Sequence, residues 1–334
     1  MKKLIILDYN LLPAQCGHNE PYDFAVAQEA IRRGIETEVW CVPQGSKKRP
    51  NFVKQKLKAY RKGKRNFFLS FFEALWKALE TRAILKRNEF DENTLILIQA
   101  IYLSSWLFLL ATLGLKVRSK IVFVLRRGLF DKHAYPIVVE VLLNYISMHF
   151  LQRKNMFFLS DSEIITNELI AHRFNSKTLP IPHLPKKEKL NFNESLVVGY
   201  VGGARYNKGI DLIPLLIKKV LQKHPQAKFL IHSYIYNTFL NNQKVLDAQK
   251  ELNELRQKHS HNVEIIEREL NDEEYFNCIR KSSIVLIPYR KVAYGDGTSG
   301  VAAEAMAMGK WVIVPNNTWM SEQKKVYDKI VSVD

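Results

Sequence analysis

A glycine-rich turn near the C-terminus combines residue types that bind anions in proteins. Residues 294–315 are YGDGTSGVAAEAMAMGKWVIVP. Glycine adopts positive φ without steric cost and lets a ligand approach the backbone. The pattern predicts a helix over Val301–Met308, capped by Thr298 or Ser299, and then a buried strand over Trp311–Val314. A turn that leads into a helix N-terminus offers unpaired N–H groups to an anion such as a phosphate.

Glu304 lies about one and a half turns into this predicted helix. A carboxylate at that depth is too far along to benefit from the helix dipole, but it can accept hydrogen bonds from vicinal sugar hydroxyls. The same residues also fit an ordinary β-α-β loop with an exposed glutamate. The P-loop and the dinucleotide fingerprint are excluded, because both need a preceding strand and fixed glycine spacing.

A second stretch, VGYVGGARYNKGID over 198–211, places two basic side chains directly after a predicted strand. The strand ends at Gly202-Gly203, and Arg205 and Lys208 fall in the turn before the next helix. Cationic side chains in such a turn can bind a diphosphate. The alternative is that both are solvated residues of an ordinary turn.

The composition indicates an anionic partner. The 334 residues include 50 Lys and Arg against 33 Asp and Glu, a formal net charge of +17. Such an excess suits an anionic membrane, a nucleic acid or an anionic substrate. Nucleic acid is disfavoured, because no zinc knuckle, helix-turn-helix or aromatic RNA-binding motif accompanies the charge. The three cysteines lack metal-like spacing and indicate a reducing compartment.

The basic residues are concentrated in one segment. Residues 46–65 hold ten basic side chains and no acidic one, and an aromatic and apolar run at helical spacing follows over 67–79. This combination is typical of a helix that lies on an anionic membrane surface. The alternative is an aromatic stripe that packs in the core beside solvated lysines. We predict that segment 46–79 binds an anionic membrane surface.

A second apolar run could cross a membrane by its length alone. Residues 95–115 are 21 residues without a charge, which is enough for a membrane span. Polar residues divide the run near 100–105. We therefore predict a strand over Thr94–Ala100 and a helix over Ser105–Leu115 instead of a span.

The chain alternates predicted strands and helices in two series. Leu4–Asp8 opens the first series, which ends in a strand over Thr178–Pro182. This alternation is typical of an α/β fold with doubly wound parallel sheets, which bind ligands at the carboxyl ends of their strands. We predict an N-terminal domain over 1–183, a proline-bounded linker over 184–195 and a C-terminal domain over 196–334.

The two glycine-bearing stretches resemble the C-terminal signature of family 4 retaining glycosyltransferases of the GT-B fold. In that family a carboxylate, seven residues and a glutamate precede an Ala-Met-Ala helix, a glycine and an apolar strand. Here the pair is Asp296 and Glu304, followed by EAMAMGKWVIVP; Asp296 replaces the usual glutamate. Lys208-Gly209 matches the family's phosphate-binding turn, and Arg205 lies closer to the lysine than is usual. The sequences SGVAAEA and NNTW are similar to bacterial members that act on cell-surface polysaccharides.

The resemblance implies two Rossmann-like domains facing a central cleft. It also implies retaining transfer from a nucleotide-diphosphate sugar to a glycan or lipid-linked acceptor, with no metal or other cofactor. Arg205 and Lys208 would stabilise the leaving diphosphate. Glu304 would hold the donor ribose, and Asp296 would lie by the sugar ring. The donor-binding set is Gly202, Gly203, Arg205, Lys208, Thr298, Ser299, Gly300, Val301 and Glu304.

The resemblance places the acceptor on the N-terminal domain, facing a glycine-bearing loop after the first strand. One glycine of the family's usual pair is present. The candidate acceptor-side residues, which could equally belong to solvated loops, are Gly17, His18, Glu20, Arg126 and His133.

Together these expectations describe a peripheral enzyme on the cytoplasmic face of a bacterial cell membrane. Family members usually continue well past the strand that ends here at Val314, so we expect a short C-terminus. That shortness and Asp296 motivate an alternative function, a catalytically inactive GT-B module that binds a nucleotide or glycan as a partner subunit. A GT-B phosphorylase is a third possibility, which no residue favours.

Overall fold

The chain folds as two units. In the computed structural model, contacts between residues divide the chain into Met1–Leu184 and Pro185–Asp334. The predicted linker over 184–195 lies outside the described residues. The residues that the structure describes are 1–9, 11, 19–43, 49–58, 67–87, 90–101, 112, 114–126, 141–143, 145–146, 155–181, 196–235 and 242–334.

The N-terminal unit is built on a seven-stranded sheet in which all paired strands are parallel. The strands are β1 (Lys3–Asp8), β2 (Glu36–Cys41), β3 (Val53–Lys54), β4 (Thr94–Ile101), β5 (Lys120–Leu125), β6 (Met156–Ser160) and β7 (Ser176–Thr178). Their order across the sheet is β3-β2-β1-β4-β5-β6-β7. The helices of this unit that are described in full are α1 (Asn19–Arg32), α2 (Phe67–Lys86) and α3 (Glu163–Ala171).

Alternate residues of β1 pack into two different hydrophobic cores. Ile5 and Leu7 belong to one core, whereas Leu4 and Ile6 belong to another. Successive side chains of a strand point to opposite faces of its sheet, so apolar residues at every position require cover on both faces. The continuous apolar runs predicted as strands therefore form a central, doubly covered sheet.

Two predictions for this unit need correction. The strand predicted over Thr178–Pro182 is wrong: Ser176–Thr178 pairs with β6 instead, because proline cannot donate a ladder hydrogen bond. The strand predicted over Thr94–Ala100 is confirmed as β4. The helix predicted over Ser105–Leu115 does not reach Leu115: residues 112 and 114 are turn residues and Leu115 is in no regular element, while the rest of that range lies outside the described residues. No helix among the described residues is long and apolar enough to cross a membrane.

The C-terminal unit is built on a six-stranded parallel sheet. Its strands are β8 (Val197–Tyr200), β9 (Lys228–His232), β10 (Val263–Ile266), β11 (Ile284–Leu286), β12 (Trp311–Pro315) and β13 (Ile330–Val333). Its helices are α4 (Ile213–Lys223), α5 (Gln243–Lys258), α6 (Asp272–Lys281), α7 (Lys291–Tyr294), α8 (Gly300–Ala307) and α9 (Trp319–Glu322). Short 3₁₀ turns cover Tyr206–Lys208, Ile210–Leu212 and Gln323–Lys325.

The strand order of this sheet identifies where a ligand would bind. The order is β10-β9-β8-β11-β12-β13, which is the Rossmann order 3-2-1-4-5-6. The chain progresses outward from β8 in one direction and then from β11 in the other. In such sheets ligands bind outside the carboxyl ends of the two strands where the direction reverses. The turn after β8 and the loop after β11 both lie at this point.

Candidate functional site

The turn after β8 is fixed in shape by a glycine and by a neighbouring arginine. Gly209 has a φ of +73°, and a Cβ there would lie 2.1 Å from the carbonyl oxygen of Pro288, so a larger residue does not fit. The Arg290 guanidinium donates to the Tyr206 carbonyl at 3.1 Å and to the Asp211 carboxylate at 2.5 Å. It also lies 3.9 Å from the centre of the Tyr206 ring. The turn therefore presents its side chains in one arrangement.

Lys208 is buried within this turn, with 7% of its surface exposed. Its Nζ donates to the Gly202 carbonyl at 3.0 Å and lies 5.4 Å from the centre of the Tyr289 ring. A Cβ on Gly202, whose φ is +107°, would lie 3.0 Å from this Nζ and 3.2 Å from Cγ2 of Val301. The Lys208 ammonium group and the Val301 side chain, which belongs to the first turn of α8, thus both lie close to Gly202.

The surroundings of Lys208 lower its pKa to about 7. Burial is the largest cause, because it disfavours the charged amine, and the positive charge of Arg205 acts in the same direction. The carboxylate of Glu304 opposes both. A lysine with this pKa exchanges its proton near neutral pH, and an anion bound beside it would favour the charged form.

The N-terminus of α8 faces the same place. Ser299 is its N-cap, and the Ser299 side chain accepts a hydrogen bond from the Ala302 amide at 3.2 Å. Ser299, Gly300 and Val301 are buried, and Thr298 is half-buried. The N-terminus of a helix carries a partial positive charge. The helix terminus and the Lys208 ammonium group therefore create positive potential at one spot.

Glu304 lies further along α8 and is 3% exposed, so the interpretation of it as an exposed glutamate is wrong. Its Oε2 accepts a hydrogen bond from the hydroxyl of Tyr275, which lies on α6. Since Glu304 raises the pKa of Lys208, the two side chains are close enough to interact electrostatically. The role of Glu304 toward a ribose stays a prediction.

The structure thus brings together Gly202, Lys208, Val301 and Glu304, four of the residues predicted to bind the donor. Arg205 is near enough to influence the pKa of Lys208. Gly203 has positive φ, at +79°. Asp296 is half-buried in the loop between α7 and α8, and its predicted place by the sugar ring is untested.

Three residues of this region were not predicted from the sequence. Tyr289 and Arg290 lie in the loop after β11, and their position after the strand that neighbours β8 could have singled them out. No motif or spacing in the sequence points to Tyr275. Its contact with Glu304 joins two helices that are separated by β11 and α7, and helical spacing does not reveal such a contact.

The acceptor-side candidates in the N-terminal unit are only partly described. Gly17, His18 and His133 lie outside the described residues. Glu20 forms an ion pair with Arg49, a member of the basic segment. These contacts leave the roles proposed for the acceptor-side residues untested.

Arg126 directly follows β5 and lies in a buried polar network. Its guanidinium lies 3.7 Å from the Asp161 carboxylate, 3.5 Å from Oε1 of Gln99 and 4.4 Å from the centre of the Tyr22 ring. Asp8, at the end of β1, and Asp23, on α1, are fully buried in the same network. Burial and the neighbouring Asp8 raise the pKa of Asp23 well above its ordinary value. The protonated form of Asp23 is therefore favoured over the charged form more than in an exposed aspartate.

Within the ranges that the structure describes, no group of three or more His, Cys, Asp or Glu side chains could hold a metal ion. The expectation that no metal takes part stays a prediction.

Comparison with known proteins identifies the domain that contains the candidate site. Residues 195–327 match the family model described as Glycosyl transferases group 1. A glycosyltransferase domain is present. The match covers the turn after β8, the whole of α8 and both residues of the Tyr275–Glu304 pair. No curated protein sequence matches the chain significantly.

Solved structures match both units together at low sequence identity. One is described as trehalose-6-phosphate from E. coli bound with UDP-2-fluoro glucose (TM-score 0.67, 12% identity, 99% of this chain and 88% of that chain). Another is a UDP-forming α,α-trehalose-phosphate synthase from Burkholderia vietnamiensis (TM-score 0.67, 11% identity, 99% of this chain and 88% of that chain). A third is the N-terminal domain of trehalose-6-phosphate phosphatase from Candida albicans (TM-score 0.70, 12% identity, 100% of this chain and 86% of that chain). At this identity the likeness shows the fold alone.

The chain has the GT-B fold, as predicted, with two Rossmann-like domains. The prediction of a glycosyltransferase enzyme is confirmed by the domain match together with this fold. The narrower predictions, which concern family 4 membership, retention of configuration and a role in surface polysaccharides, remain untested.

Proposed function

We propose that the chain is a family 4 retaining glycosyltransferase. It transfers a sugar from a nucleotide-diphosphate donor to a glycan or lipid-linked acceptor in bacterial cell-surface polysaccharide synthesis. The observation that carries this proposal is the buried Lys208 ammonium group, which lies beside Gly202 together with Val301 of the first turn of α8 and interacts electrostatically with Glu304. Burying a cation is unfavourable unless an anion compensates it. A diphosphate supplies that anion and also fits the helix terminus.

In this proposal the residues act on the charge that develops as the donor breaks. Lys208, Arg205 and the N–H groups at the start of α8 stabilise the negative charge on the leaving diphosphate. Glu304 accepts hydrogen bonds from the ribose, and Asp296 lies by the sugar ring. Because the protein's own donors meet the leaving charge, the reaction needs no metal.

The names of the structural neighbours suggest which donor to test first. One of these proteins was solved with UDP-2-fluoro glucose, and another is named as UDP-forming. UDP is therefore the first nucleotide to test on this chain.

We also propose that α2 and the basic residues before it bind an anionic membrane surface on the cytoplasmic side. Phe72 and Leu79 are 53% and 55% exposed. They lie seven residues apart and therefore on one side of the helix. Trp76, on the same helix, packs against the hydrophobic core. Lys54 and Lys58 are exposed, and basic groups beside exposed apolar side chains are what an interfacial helix requires.

Binding of nucleoside diphosphates to the wild type and to Lys208→Ala tests the donor site. At a hundredfold excess over its Kd, a ligand should stabilise the wild type by about 2.7 kcal/mol, which thermal unfolding detects. UDP, GDP, ADP and CMP form the panel. We expect one diphosphate to raise the Tm of the wild type and the variant to lose that rise.

Lys310→Ala is the matched control for Lys208→Ala. Lys310 is also buried in the C-terminal unit, and its Nζ donates to the carbonyl of Arg280. This variant should lose some stability but keep the ligand-induced rise in Tm. An equal rise in Lys208→Ala and in the wild type would exclude Lys208 from the donor site.

A further inference from the structure

The hydroxyl of Tyr275 is directed at the residue proposed to hold the donor ribose. It donates to Oε2 of Glu304, and Glu304 is almost fully buried. A buried carboxylate is stable only when its oxygens are hydrogen-bonded or paired. A hydroxyl that donates to an ionised carboxylate forms a charge-assisted bond, which is stronger than a bond between neutral groups. Tyr275 therefore restricts where the Glu304 carboxylate can lie.

The start of α6 holds Tyr275 in place. Asn271 caps this helix in a capping box with Glu274, in which each side chain bonds the other residue's backbone amide. The Arg268 guanidinium binds both carboxylate oxygens of Glu274, at 2.6 and 2.9 Å. Tyr275 is the next residue, and its ring makes an edge contact with Phe276, with the ring centres 5.4 Å apart. A fixed first helical turn thus presents the Tyr275 hydroxyl to Glu304.

The Tyr275 hydroxyl also has binding capacity of its own. A phenol that donates its hydrogen still has oxygen lone pairs that can accept a hydrogen bond. A ribose hydroxyl that reaches the Glu304 carboxylate would therefore meet two acceptors in fixed positions. A nucleotide that lacks that hydroxyl would leave buried polar groups without a partner. Sites built in this way discriminate most strongly between a ligand that carries a hydroxyl and one that lacks it.

We propose that Tyr275 is a positioning residue that holds Glu304 for the donor and makes the site select a ribonucleoside diphosphate over its 2′-deoxy counterpart. This inference rests on the proposed function, because Glu304 meets a ribose only in a nucleotide-binding site. It adds to that function a residue on α6, whereas Glu304 lies on α8. It also adds a selectivity for ribose over 2′-deoxyribose.

Calorimetric titration of Tyr275→Phe tests the proposal. The substitution keeps the ring and removes only the hydroxyl. UDP, GDP and ADP, their 2′-deoxy counterparts and inorganic pyrophosphate are the probes. The wild type should bind the ribonucleotide about tenfold more tightly than the deoxynucleotide, since a hydrogen bond to a charged group contributes at least that much. The variant should lose most of this preference while its affinity for pyrophosphate stays unchanged.

Tyr327→Phe is the matched control for Tyr275→Phe. It removes a hydroxyl that donates to the Lys310 carbonyl at 2.8 Å in the same unit. This control should keep the preference for ribose. Equal preferences in Tyr275→Phe and in the wild type would overturn the role of Tyr275, as would a wild type that binds both nucleotides equally. A wild type that binds no nucleoside diphosphate would instead overturn the proposed function, and this inference with it.

Discussion

At the residue scale, Lys208 is the central residue of the candidate site. Its ammonium group is buried before any ligand is bound. Its pKa is lowered to about 7 by burial and by Arg205. In the free protein the amine is therefore mostly neutral above that pH. A diphosphate beside it would raise this pKa again, because an opposite charge favours the charged form. Binding should therefore draw a proton from the solution.

Proton uptake at about pH 8 measures this coupling. The terminal phosphate of a free nucleoside diphosphate has a pKa near 6 and is almost fully ionised at about pH 8. The phosphate itself therefore contributes little to the proton uptake. We expect an uptake that approaches one proton per diphosphate bound. The affinity should fall as the pH rises above 7, by up to about tenfold per pH unit. Calorimetry in buffers with different ionisation heats gives the proton count, and an uptake near zero would contradict the assignment of Lys208.

The sequence predicted some of these residues better than others. Lys208 and Glu304 stand in recognisable patterns, so their types and their neighbourhood could be predicted. Their burial could not, because it depends on the side chains that α6 and the loop after β11 place around them. The raised pKa of Asp23 was missed for the same reason. Its pKa depends on Asp8 from a different element, and no local spacing reveals that contact.

At the element scale, the turn after β8 and α8 form the core of the candidate site. The helix was predicted over Val301–Met308 and is found over Gly300–Ala307, a shift of one residue at each end. Glycine and N-cap chemistry is local, which is why the prediction was close. The helix predicted to follow the turn after β8 is α4, and a 3₁₀ turn over Ile210–Leu212 precedes it. The left-handed Gly209 and its tight approach to Pro288 set this geometry, and the loop after β11 that contains Pro288 is distant in sequence.

The proposed membrane surface is also a property of elements, since it combines α2 with the basic residues before it. Reversing the charge of Lys54 and Lys58 to glutamate should weaken binding to vesicles that contain phosphatidylglycerol. Each basic residue near an anionic surface contributes about 1 kcal/mol, so the double variant should lose roughly 30-fold or more in affinity. Co-sedimentation with vesicles measures the loss, and pure phosphatidylcholine vesicles give the background.

A double variant of the C-terminal unit controls for net charge. Lys219 and Lys223 are exposed on α4, and their reversal to glutamate changes the net charge by the same amount. This control should bind the vesicles nearly as well as the wild type. Equal losses in the two double variants would mean that total charge matters and that segment 46–79 is not the membrane-binding surface.

At the scale of the whole molecule, the alternation of strands and helices predicted two doubly wound α/β domains, and the family resemblance predicted that they form the GT-B fold. Alternation is a global pattern, and a parallel sheet covered by helices on both faces is the arrangement that satisfies it. The short strand β3 within the basic segment was not predicted. Its two residues bond to the edge of the sheet through β2, and so short a strand has no periodicity to detect.

Cleavage of a nucleotide sugar by the purified protein tests the central claim most directly. The donor should carry the nucleotide that stabilises the wild type, and proton NMR can follow the anomeric signal of the released or transferred sugar. We predict that the first product keeps the donor's anomeric configuration. Lys208→Ala should slow the reaction by about 100-fold or more, because removing a donor to the developing charge has an effect of this size. Tight nucleotide binding without cleavage would contradict the account and favour an inactive GT-B module, and a first product of inverted configuration would contradict retention.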